Sequence, residues 1–120
     1  MAENAEKGAW CAFDLMNGRV FYCRVNAEMK SVIEGKRKDG FITIVDPYVS
    51  RPIPGGFTVV SSLRDVSGQF HGPLAVAVQS IASIGEMRPD SDWSQGLDKV
   101  ESGETKAAVV VKPSSIQIPR

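Results

Sequence analysis

The dipeptide Asn17-Gly18 stands between two apolar runs, Trp10 to Met16 and Val20 to Val25. Asn-Gly suits the two positive φ angles of a type I′ turn, and apolar runs on either side of it predict a β-hairpin. Such a hairpin commits the chain to antiparallel pairing close to its N-terminus. In that register Leu15 faces Val20, Phe13 faces Tyr22 and Cys11 faces Arg24 on one side. Ala12 faces Cys23 and Asp14 faces Phe21 on the other. The first side is the expected core face, because Phe13, Leu15, Val20 and Tyr22 form adjacent cross-strand pairs. Trp10, Met16, Phe21 and Val25 make the second side apolar too. A hairpin apolar on both sides is expected in a barrel or at a subunit interface, which makes Trp10, Met16 and Phe21 the candidate protein-interface residues. The same register puts Cys11 and Cys23 on opposite faces and predicts free thiols.

Beyond the hairpin, Asn26 to Gly35 reads in two ways. It is either a short helix capped by Asn26, with Met29, Val32 and Ile33 on one face and Gly35 at its end, or a third strand. Lys36-Arg37-Lys38-Asp39-Gly40 is a basic turn, and Phe41 to Val45 is a β-branched strand closed by Asp46-Pro47. Arg51 to Gly56 reads as a Pro- and Gly-rich loop, Phe57 to Leu63 as a strand, Asp65 to Pro73 as a second loop and Leu74 to Ser80 as a strand. Ile81 and Ile84 either continue that strand or open a helical turn. Residues 1–8 read as a flexible tail and 9–87 as one β-rich domain. Residues 88–120 read as a polar linker or tail, with Val109 to Val111, Ile116 and Ile118 as a possible terminal docking strand. The expected fold class is mainly β, a small partly open barrel or compact antiparallel sheet of the SH3-like or Sm-like kind, with at most one short helix and flexible termini.

Composition limits the partners. The 120 residues carry 14 Lys and Arg against 14 Asp and Glu, so no overall field draws the chain to nucleic acid or to an anionic membrane. No apolar run approaches the roughly 20 residues that span a bilayer. The polar N-terminus, Met1 to Lys7, carries no secretion signal, so a cytoplasmic location is expected. With one histidine in the chain, a zinc site needs carboxylate ligands as well, and neither a metal nor a cofactor is expected. No phosphate-binding loop, dinucleotide fingerprint or nucleophile elbow occurs. A catalytic dyad or triad built on histidine has only His71 to use, with Asp65 or Cys23 as partner. A non-catalytic chain is the expectation, with a small enzyme built on His71 as the alternative.

Asn17-Gly18-Arg19-Val20-Phe21, followed by Asn26-Ala27-Glu28-Met29-Lys30-Ser31-Val32-Ile33, resembles the first motif of Sm-like small barrels. There a strand, a Gly turn and a second strand lead to Asp-x-x-Met-Asn-x-x-Leu. Asn26 stands for the Asp, Met29 for the Met and Ile33 for the Leu, while Lys30 replaces the family's RNA-contacting Asn. The resemblance implies a small-barrel architecture. The expected function is a macromolecule-binding or assembly module that binds protein and self-associates, as a small phage- or plasmid-type accessory protein would. The alternative is RNA or DNA binding through Arg24, Lys30, Lys36, Arg37 and Lys38, with Tyr22, Phe41 and Tyr48 available to stack on bases.

Overall fold

The computed structural model describes residues 8–67 and 73–112. Its first element is the hairpin of β1 (Trp10–Leu15) and β2 (Val20–Arg24), with a turn one residue longer than expected. Met16-Asn17-Gly18 form the loop. Leu15 C=O accepts from Gly18 N–H at 2.9 Å, and Leu15 N–H donates to Arg19 C=O at 2.8 Å. Only Gly18 takes a positive φ, 89°. Asn17 Oδ1 accepts from Arg19 N–H at 3.0 Å. A type I turn followed by a left-handed glycine uses the same two residue types as a type I′ turn, and here the side-chain bond of Asn17 accompanies the longer form.

The extra loop residue shifts every pair by one. Phe13 now faces Phe21 and Cys11 faces Cys23, so the two cysteines share a face instead of lying on opposite ones. Both are buried free thiols. The first face of the hairpin is Cys11, Phe13, Phe21 and Cys23, and the second is Trp10, Ala12, Val20 and Tyr22.

Asn26 to Gly35 resolves as the helical alternative. Helix α1 (Ala27–Ile33) starts where Asn26 Oδ1 accepts from Met29 N–H at 2.9 Å. It ends in a Schellman motif, with Gly35 at φ 79°, Gly35 N–H donating to Val32 C=O and Lys36 N–H donating to Ser31 C=O. Strands β3 (Phe41–Ile44), β4 (Tyr48–Ile53) and β5 (Phe57–Ser62) follow, then α2 (Leu63–Ser67) and β6 (Leu74–Ala77). A 3₁₀ turn at Val78–Ser80 cuts the expected Leu74-to-Ser80 strand short and leads into β7 (Ile81–Glu86). Arg51 to Ile53, expected in a loop, extend β4. Pro52 is tolerated there because β4 meets β2 only at Tyr22 and Tyr48, so its far half has an open side.

The polar segment after residue 88 is not simply a linker. It holds α3 (Asp92–Glu101), and β8 (Ala107–Val111) then pairs with β5. Ser91 caps α3 by accepting from Ser94 N–H at 3.1 Å, and Ser94 Oγ donates to Arg88 C=O at 2.7 Å. Its inner face is Trp93, Leu97 and Val100, with the small Ser94 and Gly96 between them.

The fold is therefore mainly β, in antiparallel sheets that do not close into a barrel. Six strands run in the order β7-β1-β2-β4-β5-β8, and β3 and β6 form a separate two-stranded ribbon. On one face of the large sheet, Cys11, Phe13, Phe21 and Cys23 pack with Met29 of α1 and with Ile42, Ile44, Val76 and Val78 of the ribbon. On the other, Trp10, Tyr22, Tyr48, Val60, Ala108 and Val110 pack under Leu97 and Val100 of α3. The expected N-terminal tail to Lys7, the loop residues 68–72 with His71, and Ile116 and Ile118 lie outside the described residues.

Gly96 sets how closely α3 approaches the sheet. A Cβ there would stand 2.6 Å from Val110 Cγ1. Helix propensity alone would make Gly96→Ala stabilising by about 1 kcal/mol. Overpacking costs about 1–3 kcal/mol and is expected to win, so Gly96→Ala should lower the melting temperature in calorimetry. A rise would show that α3 is free to move outward.

Candidate functional site

The sites expected from the sequence are dispersed. Trp10 and Phe21 are buried on opposite faces of the sheet, each covered by the chain's own elements. Of the three candidate interface residues only Met16 faces solvent, 72% exposed at the hairpin tip.

Arg24 lies on the α3 side of the sheet. Its guanidinium stands 4.2 Å from the Trp10 ring centre. It donates to Asp98 Oδ1 at 2.8 Å and to both Glu101 carboxylate oxygens, at 2.7 and 3.2 Å. Burial works to lower its pKa, but the bonds and charges of Glu101 and Asp98 together outweigh that, so it is held above its ordinary value. Lys36, Arg37 and Lys38 follow α1 and lead into β3, on the opposite side of the sheet from Arg24. Lys36 pairs with Glu34, and Lys30 reaches Glu86 of β7. Arg24 and the basic turn thus do not form one surface. Tyr22 and Tyr48 are buried, which leaves Phe41, 64% exposed beside Arg37, as the accessible ring of the three.

The two thiols are placed as core groups. Burial pushes Cys11 up to about 11, with Glu86 adding to the rise against a backbone hydrogen bond from Gly85. Burial also pushes Cys23 up to about 12, and its Sγ contacts Met29 Sδ at 3.7 Å. Both stay protonated at neutral pH and are poor nucleophiles. Among the described residues, no three His, Cys, Asp or Glu side chains converge as a metal site, and no helix is long and apolar enough to cross a membrane.

A wide cleft lies where the sequence suggested a linker. It runs between α3 and the outer edge of β8 and encloses about 1010 Å³. β8 has β5 on one side, and among the described residues no strand pairs with it on the other. Its alternation sends Ala108 and Val110 inward under α3, while Val109 and Val111 are exposed. Thr105 Oγ1 meets the N–H and C=O of Ala107 at the start of the strand. Trp93 forms part of the groove wall, held by its ring contact with Tyr22 at 5.2 Å. Four charged side chains line the groove, Asp92 and Lys99 on α3 with Glu104 and Lys112 flanking β8. A second cleft, of about 530 Å³, opens near Tyr48, Arg64 and Lys106. Burial, reinforced by Glu101 and Asp46, pushes the Tyr48 hydroxyl up to about 12.

An apolar edge strand beside a helix is the arrangement in which an added strand finds both main-chain partners and a wall for its side chains. The signal for it in the sequence was the run Val109 to Val111, and the strand begins two residues earlier, at Ala107. Comparison with protein-family models, with curated proteins and with solved structures finds no match in any of the three.

The buried thiols make the fold sensitive to alkali. Both titrate higher in the folded chain than in the unfolded one, so above about pH 9 the unfolded state releases protons that the folded state keeps. Their contribution is full below that pH and is lost as pH climbs toward about 12. The urea midpoint is expected to fall between about pH 8 and about pH 10.5, and to fall less in Cys11→Ala/Cys23→Ala. An equal fall in the double variant would assign the loss to other groups.

Proposed function

We propose that this chain is a non-catalytic protein-binding module that takes an extended segment of a partner as an added strand beside β8. The observation that carries the reading is the groove itself, a sheet edge overhung by α3 with which no strand pairs among the described residues. Main-chain bonds along the edge supply affinity, and alternate side chains of the added strand reach the α3 wall or the opposite face. The balance of charge in the groove favours a polypeptide over a polyanion. The apolar faces of the first hairpin are already covered by α1, the ribbon and α3, so an exposed edge supplies the surface that a binding module needs.

Selection of a displayed random-peptide library on the immobilised chain tests this. Enriched peptides should alternate apolar residues. Val109 faces away from the α3 packing, so Val109→Lys should preserve the fold. By placing a charge on the edge it should weaken the selected peptides by about tenfold or more. Enriched peptides that bind Val109→Lys as tightly as the parent would contradict the reading.

A further inference from the structure

We infer that the strand received by β8 is β8 of a second copy of this chain, with the two copies related by a twofold axis beside Ala108, at the edge that no strand occupies among the described residues. The inference rests on the strand-addition reading and names its partner. The four charges of the groove point to this partner. Among the described residues, none of Asp92, Lys99, Glu104 and Lys112 takes part in an ion pair within the chain. Two are acidic and two basic, so the surface carries the charges needed to complement itself.

Their order fits an antiparallel twofold. About such an axis, residues equally spaced on either side of the centre face each other, as in any isologous contact. On α3 the centre between Asp92 and Lys99 falls between Gln95 and Gly96. In sequence, the centre between Glu104, in the turn before β8, and Lys112, just after it, falls on Ala108. These two centres are stacked in the fold, because Gly96 sits directly over β8 and a Cβ there would lie 3.5 Å from that of Ala108. One axis therefore serves both layers. It brings Asp92 to Lys99 of the second copy on the helix layer, and Glu104 to Lys112 of the second copy on the sheet layer. Asp92, Gln95 and Lys99 share one helix face by their spacing of three and four, so α3 meets its counterpart along that face.

The edge itself agrees. Ala107 to Val111 contain no charge and no proline, the devices that commonly keep an exposed edge from pairing. The opposite edge strand, β7, is flanked by α1 and ends at Glu86 in an ion pair with Lys30. The unguarded edge is the one bordered by self-complementary charges.

The test is sedimentation equilibrium of the full chain, with a partner swap. The wild-type chain is expected at twice its 13.0 kDa mass. Lys99→Asp leaves two acidic groups on each α3 face, and Asp92→Lys leaves two basic ones. Each variant alone is expected to dissociate at least about tenfold more readily, and an equimolar mixture should regain the dimer as a heterodimer. Loss of folding would not be repaired by mixing, so recovery separates a lost contact from a damaged fold. A wild-type chain that sediments as a monomer overturns the inference. So do variants that stay as dimeric as the parent. If the wild type is monomeric while library peptides still depend on Val109, strand addition stands and the second copy is the wrong partner. If neither is seen, both fall.

Discussion

Arg24 is held between the Trp10 ring on one side and Asp98 and Glu101 on the other, and the joining of the large sheet depends on that contact. The three-stranded half β7-β1-β2 pairs through its main chain with the half β4-β5-β8 at one position, Tyr22 to Tyr48. A seam of one pair supplies little main-chain bonding, so side chains do the joining. Trp10 packs edge-on against Tyr48 with ring centres 5.4 Å apart, while its indole N–H donates to Asp98 at 2.8 Å. Tyr22 reaches across to Ser50 and packs beside Trp93. Helix α3 therefore grips the β1–β2 half through its acidic residues and the β5–β8 half through Gly96, Leu97 and Val100. Its close approach, set by Gly96, lets both grips form at once.

The same helix has an outer side with another consequence. The residues that point inward fix the sheet, while Asp92, Gln95 and Lys99 overhang the β8 edge and make the groove. Structural stability and the proposed binding surface thus share one element. The groove geometry is as rigid as the packing of Gly96 on Val110 and Ala108, which favours a preorganised edge over a loop-borne site.

How much of this was legible in the sequence differs from element to element. The hairpin was readable from Asn17-Gly18, but its register was not, because the same pair serves a two-residue and a three-residue loop. That one-residue difference moved Cys11 and Cys23 onto one face. Asn26 and Gly35 carried the cap signals of α1, but the segment read equally as a third strand until the structure resolved it as helix. Helix α3 was hidden because its sheet-facing positions include Ser94 and Gly96, which are small for close approach and read as polar or flexible. The apolar second face of the hairpin was visible, yet nothing in a single sequence says what covers it. Trp10 looked like an interface residue because α3 was read as linker, and Phe21 because the two-residue register put it on the Trp10 face, whereas it lies under α1 and the ribbon. Arg24 was grouped with the basic turn by charge, whereas the strand direction sends it to the other side of the sheet. The groove had only the run Val109 to Val111 as a visible mark, since its other wall is the helix that the pattern concealed.

Residue-resolved hydrogen exchange at rising protein concentration reads the β8 edge in the unmodified chain and so tests whether that edge takes a second strand. Amide protection within Ala107 to Val111 and along the outer face of α3 is expected to grow with concentration, while β7 and the Phe41 region do not change. Exchange along β8 that is the same at every concentration, or protection that grows at β7 or Phe41 instead, would contradict that pairing.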